Sequence, residues 1–240
     1  MSIIKINHHL ILRLLGMTFI LETIFMLIPV GVSYLYQEAD FYPFIYSNII
    51  LFIVGLVFYL LGKRSKNAFG GKKEGFITVT LIWVLLPLFG MLPYLFGGYI
   101  TNFTDAYFES MCGFSTTGAS ILSDIEVLPH GLLLWRSLTQ WQGGLGIIVF
   151  TVFLMPMMTG GASFLFDAET TGFTHDRFLP RIKKSAAYLF QIYFLLTLLV
   201  IFLLWLGPMN LFDAISHGLA TISTGGYSTK NPGISYWQSA

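Results

Sequence analysis

Apolar positions along this chain run in long blocks separated by short polar connections, rather than alternating as they would along a half-buried strand. Residues 14–36, 44–62, 76–96, 131–158 and 187–206 form such blocks, of 23, 19, 21, 28 and 20 residues. About 20 predominantly apolar residues cross a bilayer as a helix, so the pattern predicts five membrane-spanning helices. The fourth is long enough to tilt or to project beyond the hydrocarbon. The first block carries Glu22 and Pro29 and lacks a small-residue cleavage site, which favours a retained helix over a signal peptide.

Two further segments, residues 103–115 and 211–223, are only 13 residues long. Each predicts a helix crossing half a membrane, and each runs into a small, polar, glycine-bearing stretch. The first is Ser115-Thr116-Thr117-Gly118-Ala119-Ser120 and the second Ser223-Thr224-Gly225-Gly226-Tyr227-Ser228. Laid over one another without a gap, Asn102 falls on Asn210 and Gly118 on Gly226. Asn102, Asp105, Ala106, Ser115, Thr116, Gly118 and Ser120 are each identical to their counterparts in this alignment. Repetition at a fixed spacing marks a repeated structural unit. The fold class expected is therefore an all-α membrane protein of helix-pore-helix repeats, with five full spans and two half-length pore helices.

Composition narrows the function classes. With 55% apolar and 10% charged residues in 240, a membrane is the solvent, and the lipid bilayer is the first partner. A formal charge of +1 argues against a nucleic-acid partner. The single cysteine, Cys112, excludes an intrachain disulfide and is expected to pack inside a short helix. Lys5 and Arg13, then Lys63, Arg64, Lys66, Lys72 and Lys73, then Arg177, Arg181, Lys183 and Lys184 occupy alternate connections, which makes those sides and the amino terminus cytoplasmic. Both glycine loops then fall outside, among Asp105, Glu109, Asp124, Glu126 and Asp213.

Non-helical backbone at membrane depth must be buried in protein or line a watery cavity. Asp105 and Asp213 suit the positive starts of the half-length helices, whose carboxyl ends would then present partial negative charge to a cation. Gly118 and Gly226 allow backbone angles that let successive carbonyls face one axis. Carbonyls so arranged replace the water shell of a potassium ion. The alternative is a pair of ordinary outer turns, since Ser, Thr and Gly also favour turns.

Other features carry less. Arg136 can snorkel or form a structural ion pair with Glu109. Glu22 is either a functional carboxylate or a packing contact. Adjacent Ser216 and His217 point different ways on a helix and do not make a hydrolase. Gly143, Gly144 and Gly146 lie within a span and suit close helix packing, and Gly160 and Gly161 suit a helix end, so neither is a phosphate loop. Neither an enzyme nor an organic cofactor is expected.

The run from Tyr107 through Met111-Cys112-Gly113-Phe114 to Ser120 resembles the first pore loop of the TrkH/KtrB/HKT potassium-uptake superfamily, closest to its TrkH branch. Three further stretches agree: Trp135-Arg136-Ser137-Leu138-Thr139-Gln140-Trp141 with Gly143-Gly144-Leu145-Gly146, Leu179-Pro180-Arg181-Ile182, and residues 223–228. The resemblance implies potassium uptake or symport across a bacterial inner (plasma) membrane by a multi-pass protein. It implies a selectivity filter in which backbone carbonyls of Thr116, Thr117, Gly118, Thr224, Gly225 and Gly226 bind potassium. A serine at the first filter glycine accompanies sodium passage in that superfamily, so Gly118 is the potassium-selecting form. Residues 1–74 would be an accessory helix pair, 75–185 the first repeat with its cytoplasmic connection, and 186–240 a second repeat that stops after its filter. Four such repeats make the family's pore, so the chain is expected to be an amino-terminal half, or else a membrane-embedded module without transport activity alone. A homodimer and a cytosolic nucleotide-binding regulatory subunit similar to TrkA are the implied partners.

The charge bias makes a direct prediction about sidedness. Cysteines at Lys66 or Lys183 should be shielded from an impermeant thiol reagent added outside, and cysteines at Asp124 or Lys230 should react; the reverse labelling would overturn the topology.

Overall fold

The computed structural model describes residues 6–63, 72–158 and 178–238; Lys5, Arg64, Lys66, Arg177, Gly160 and Gly161 lie outside them. Every regular element among the described residues is helical. In order these are α1 His8–Tyr36, α2 Phe41–Gly62, α3 Lys72–Gly90, α4 Leu92–Phe96, α5 Phe103–Phe114, α6 His130–Met158, α7 Phe178–Leu206 and α8 Leu211–Ile222, followed by a 3-10 turn over Gly233–Trp237. Four stretches are long and apolar enough to cross a membrane: His8–Tyr36, Phe41–Gly62, Lys73–Phe96 and Ala186–Leu206. The remaining predicted span forms the 29-residue helix α6, whose Arg136, Ser137, Thr139 and Gln140 are all buried polar residues.

The third predicted span is not one continuous helix. Pro93 has no N–H to give the Phe89 carbonyl, and the chain breaks at Met91 between α3 and α4. Tyr94 N–H turns to the Met91 carbonyl at 3.1 Å, which leaves the Gly90 carbonyl free for the Trp135 indole N–H at 2.9 Å. That bond ties α3 to α6, and the Trp135 ring then meets Phe44 and Phe114 edge-on.

Helices α1 and α2 form a closely packed hairpin. A Cβ added at Gly16 would strike the backbone of Tyr59, and one added at Gly62 would strike the backbone of Arg13. Glycine is what permits this approach between two apolar helices. The hairpin's turn holds the start of α6: His130 N–H donates to Glu38 Oε2 at 2.7 Å, and Leu132 N–H donates to Asp40 Oδ2 at 3.1 Å. First-turn amides lack partners within their own helix, and a carboxylate there is also favoured by the dipole. Burial, with the neighbouring Glu38 charge added, pushes the Asp40 carboxyl above the usual range. Deeper in the bundle, Gln142 Nε2 donates to both Glu22 oxygens at 3.1 and 3.0 Å, joining α1 to α6.

Helix α7 touches its neighbours along one narrow stripe. Tyr193 O–H donates to the Trp141 carbonyl at 3.0 Å, and Trp141 N–H donates to Thr197 Oγ1 at 3.0 Å. Leu195, Leu199, Phe202 and Leu206 stay exposed, as suits a surface solvated by hydrocarbon. Gly62→Ala should lower the unfolding temperature in detergent, since overpacking costs about 1–3 kcal/mol. Gly31→Ala, where a Cβ meets nothing within 4 Å, should raise or leave it. Equal effects would refute the close-packing account of the hairpin.

Candidate functional site

Helices α5 and α8 have 12 residues each, or about 18 Å at the standard helical rise, half of a bilayer's hydrocarbon. They begin alike. Asn102 accepts a hydrogen bond from Thr104 N–H at 2.9 Å, and Asn210 accepts one from Asp213 N–H at 2.8 Å. Asp105 and Asp213 occupy the first turns.

They also end alike. Ser115 and Ser223 are the caps, and the next residues, Thr116 and Thr224, are left-handed with φ of 56° and 55°. Thr116 N–H donates to the Gly113 carbonyl and Thr224 N–H to the Thr221 carbonyl, both at 2.9 Å. One residue on, Thr117 N–H reaches the Cys112 carbonyl at 3.1 Å and Gly225 N–H the Ala220 carbonyl at 2.9 Å. Such a left-handed cap satisfies the last helical carbonyls and usually has glycine at this position. A β-branched residue there is held at a cost on the order of 1–3 kcal/mol. The same strain stands at equivalent places in both copies, so local sequence accident does not account for it.

Gly118 and Gly226 follow with φ of 74° and 81°, each separated from the left-handed threonine by one residue of ordinary φ. The amides of Thr116, Thr117, Thr224 and Gly225 are turned back onto their helices. No donor among the described residues reaches the carbonyls of Thr116, Thr117, Gly118, Thr224, Gly225 or Gly226. Hard cations take oxygen ligands, and these six carbonyls are oxygens without another occupation. Among the described residues no group of three or more His, Cys, Asp and Glu offers a competing metal site.

The two loops meet. A Cβ on Gly118 would fall on the Gly225 carbonyl oxygen, and one on Gly225 would strike the Gln140 side chain. Helix α6 runs behind both loops, with Gly143 against the Phe114 carbonyl and Gly144 against Ser223. Gln140 Oε1 accepts Tyr227 N–H at 3.1 Å.

A buried ion pair completes the arrangement. Glu109 and Arg136 are each 1% exposed, and Arg136 Nε donates to Glu109 Oε1 at 2.9 Å. Ser120 Oγ donates to the same carboxylate at 3.0 Å, and Ile121 N–H does so at 2.9 Å. Arg136 also donates to Ser120 Oγ at 3.0 Å and to the Ser228 carbonyl at 3.4 Å, and its guanidinium lies 4.1 Å from the centre of the Tyr227 ring. Tyr227 O–H, in turn, is within reach of the Glu109 and Ala119 carbonyls, at 3.0 and 3.1 Å. Sequence reasoning left Arg136 open between snorkelling and a pair with Glu109, and assigned no role to Gln140, Tyr227 or the two serines. The gapless alignment of the two copies held a signal for the serines, since Ser120 and Ser228 coincide in it. Ser216 and His217 stand side by side in α8, and the His217 ring bonds Ser228 instead of Ser216.

Residues 43–240 match the family described as "TrkH: Cation transport protein". The chain belongs to the TrkH family. It is 37% identical over 231 residues to the Trk system potassium uptake protein TrkH of Escherichia coli (strain K12), covering 95% of this chain and 48% of that protein. Identity is 34% over 233 residues to the TrkH of Halomonas elongata, covering 96% and 48%. The crystal structure of the potassium transporter TrkH from Vibrio parahaemolyticus superposes with a TM-score of 0.81 at 33% identity, covering 96% of this chain and 46% of that one. The chain thus spans about half the length of the TrkH-family relatives it matches.

Removing one partner of a buried ion pair costs about 3–5 kcal/mol, because the other charge is left uncompensated. Arg136→Met should therefore destabilise the protein strongly in a detergent unfolding assay, and Glu109→Gln with Arg136→Met should recover part of the loss. A double variant no more stable than Arg136→Met would rule out the pair as the source.

Proposed function

We propose that this chain supplies two of the four pore loops of a potassium uptake system in a bacterial inner membrane, and that the carbonyls of Thr116, Thr117 and Gly118 and of Thr224, Gly225 and Gly226 form two walls of its selectivity filter. The observation that carries the reading is the duplicated loop: a strained left-handed threonine, a left-handed glycine and unoccupied carbonyls, recurring at equivalent positions of both copies and meeting at Gly118 and Gly225. An ordinary surface turn has no reason to hold that strain twice. The names of the relatives, potassium uptake proteins and a potassium transporter, agree with the cargo.

In this reading residues 1–74 are an accessory helix pair, residues 75–185 the first helix-pore-helix repeat, and residues 186–240 the start of the second. Helix α6 is the fourth of five spans and α7 the fifth, α5 and α8 are pore helices, the amino terminus is cytoplasmic and the loops open outward. Potassium is cargo rather than a resident cofactor. A second copy of the transporter and a cytosolic nucleotide-binding subunit similar to TrkA are the proposed partners.

Selectivity tests the assignment. A Cβ at a left-handed position costs roughly 1–2 kcal/mol, enough to turn a carbonyl away from the ion. Gly118→Ser and Gly226→Ser in the full-length protein should each lower the preference for potassium over sodium, by about five- to thirtyfold if that whole penalty falls on potassium binding. Ala162→Ser should not. Rubidium uptake with sodium competition measures this, and unchanged selectivity in both glycine variants at normal expression would return the loops to the ordinary-turn reading.

A further inference from the structure

The alignment that lays Gly118 on Gly226 also places Glu109 on His217, and the contacts repeat with the register. Ser120 Oγ donates to the Glu109 carboxylate at 3.0 Å, while Ser228 Oγ lies 3.0 Å from His217 Nε2. In each copy a buried side chain at the seventh position of the half-length helix braces the serine two residues beyond the loop glycine. One brace is a carboxylate neutralised by Arg136; the other is an imidazole.

The bonding fixes the imidazole's tautomer. Its Nδ1 lies 2.9 Å from the Asp213 carbonyl, which can only accept, so Nδ1 carries the hydrogen. In the neutral ring Nε2 is therefore a lone pair, and the Ser228 hydroxyl donates to it, while Ser228 Oγ accepts Lys230 N–H at 2.9 Å. Protonation places a second N–H on Nε2, aimed at an oxygen that already accepts from Lys230. The serine hydroxyl then loses its acceptor at a site only 4% exposed on the His217 side, where water does not readily replace it.

The groups around the ring act in both directions. The Asp213 carboxylate favours a cation, but it already accepts from Thr229 Oγ1 at 2.6 Å and from Asn210 Nδ2 at 2.8 Å. Arg136 of α6, donating to the Ser228 carbonyl at 3.4 Å, opposes one. The terminal 3-10 turn offers the Trp237 ring edge-on at 4.9 Å, α7 offers Ile201 beside Gly218, and the Lys230–Glu126 pair lies beyond.

We propose that His217 is a positioning residue for the second ion loop, and that protonating it reverses the Ser228 hydrogen bond and impairs ion passage. The inference rests on reading the loops as the filter. An unperturbed histidine titrates near pH 6.5, and burial of the His217 ring disfavours its charged form, so the effect belongs on the acid side of that value.

The test is rubidium uptake into proteoliposomes holding the full-length transporter, with pH equal on both sides. The parent's rate should fall about threefold or more between about pH 7.5 and 4.5, a range extended on the acid side because burial disfavours the charged ring. His217→Gln, whose amide oxygen can accept the serine hydroxyl without titrating, should flatten the profile. Ser228→Ala, which removes the group whose bond reverses, should flatten it independently. A flat parent profile overturns the proposal, as does an equal fall in both variants. Loss of uptake in both at pH 7.5 also overturns it, because the brace would then be structural rather than titratable. Gly118→Ser separates the two readings: altered selectivity with the parent's pH profile retained supports both, and unaltered selectivity removes the filter reading whatever the profile.

Discussion

Burying a carboxylate and a guanidinium together costs several kcal/mol per ion, and only full hydrogen bonding offsets it. The Glu109–Arg136 pair meets that condition by drawing its partners from every part of the candidate site. The carboxylate belongs to α5 and the guanidinium to α6; Ser120 closes the first loop with Ile121 just after it, and Tyr227 and Ser228 belong to the second. None of these segments can shift alone without leaving a buried charge short of a partner. The pair therefore fixes the distance between two loops that lie far apart in the chain and share no backbone hydrogen bond among the described residues.

Helix α6 is built for the same purpose. Its face at Arg136, Gln140, Gly143 and Gly144 repeats every three or four residues, the spacing that keeps side chains on one side of a helix. Two of these residues supply hydrogen-bonding groups and two supply the absence of a side chain where loop backbone approaches. On other faces Trp135 reaches the freed Gly90 carbonyl and Gln142 reaches Glu22. A helix with these duties is less apolar than α1, α2 or α7, because its polar groups meet other protein groups and not lipid. Its polarity marks the bundle's interior, just as the exposed leucines of α7 mark a surface.

What the sequence made legible is what depends on neighbours in the chain. The apolar blocks gave helices because length and composition suffice for that, and the half-length helices ended within a residue of their expected bounds because Asn102, Asn210, Ser115 and Ser223 cap them locally. The break before α4 was not legible, since a proline such as Pro29 sits inside α1 without ending it while Pro93 does end α3. Nor were the bonds between Gln140 and Tyr227 or between Gln142 and Glu22, which close over 87 and 120 residues. His217 was weighed against Ser216, its neighbour in sequence. Its observed partner, Ser228, becomes adjacent only when the loop folds back over α8.

The two copies remain alike where each must fold by itself and differ where they touch. Asn102 and Asn210, Thr116 and Thr224, Gly118 and Gly226, and Ser120 and Ser228 serve cap, strain, turn and brace within their own copies. Ala119 and Tyr227, by contrast, occupy equivalent positions with opposite volumes. The Tyr227 ring lies against the guanidinium, and its hydroxyl is 3.1 Å from the Ala119 carbonyl, so the large residue of one loop reaches the backbone beside the small residue of the other. A ring at both positions would have to place two aromatics around a single Arg136. Divergence at this pair is what allows two copies of one motif to pack against each other, and it gives the interface a direction that exact repetition would lack.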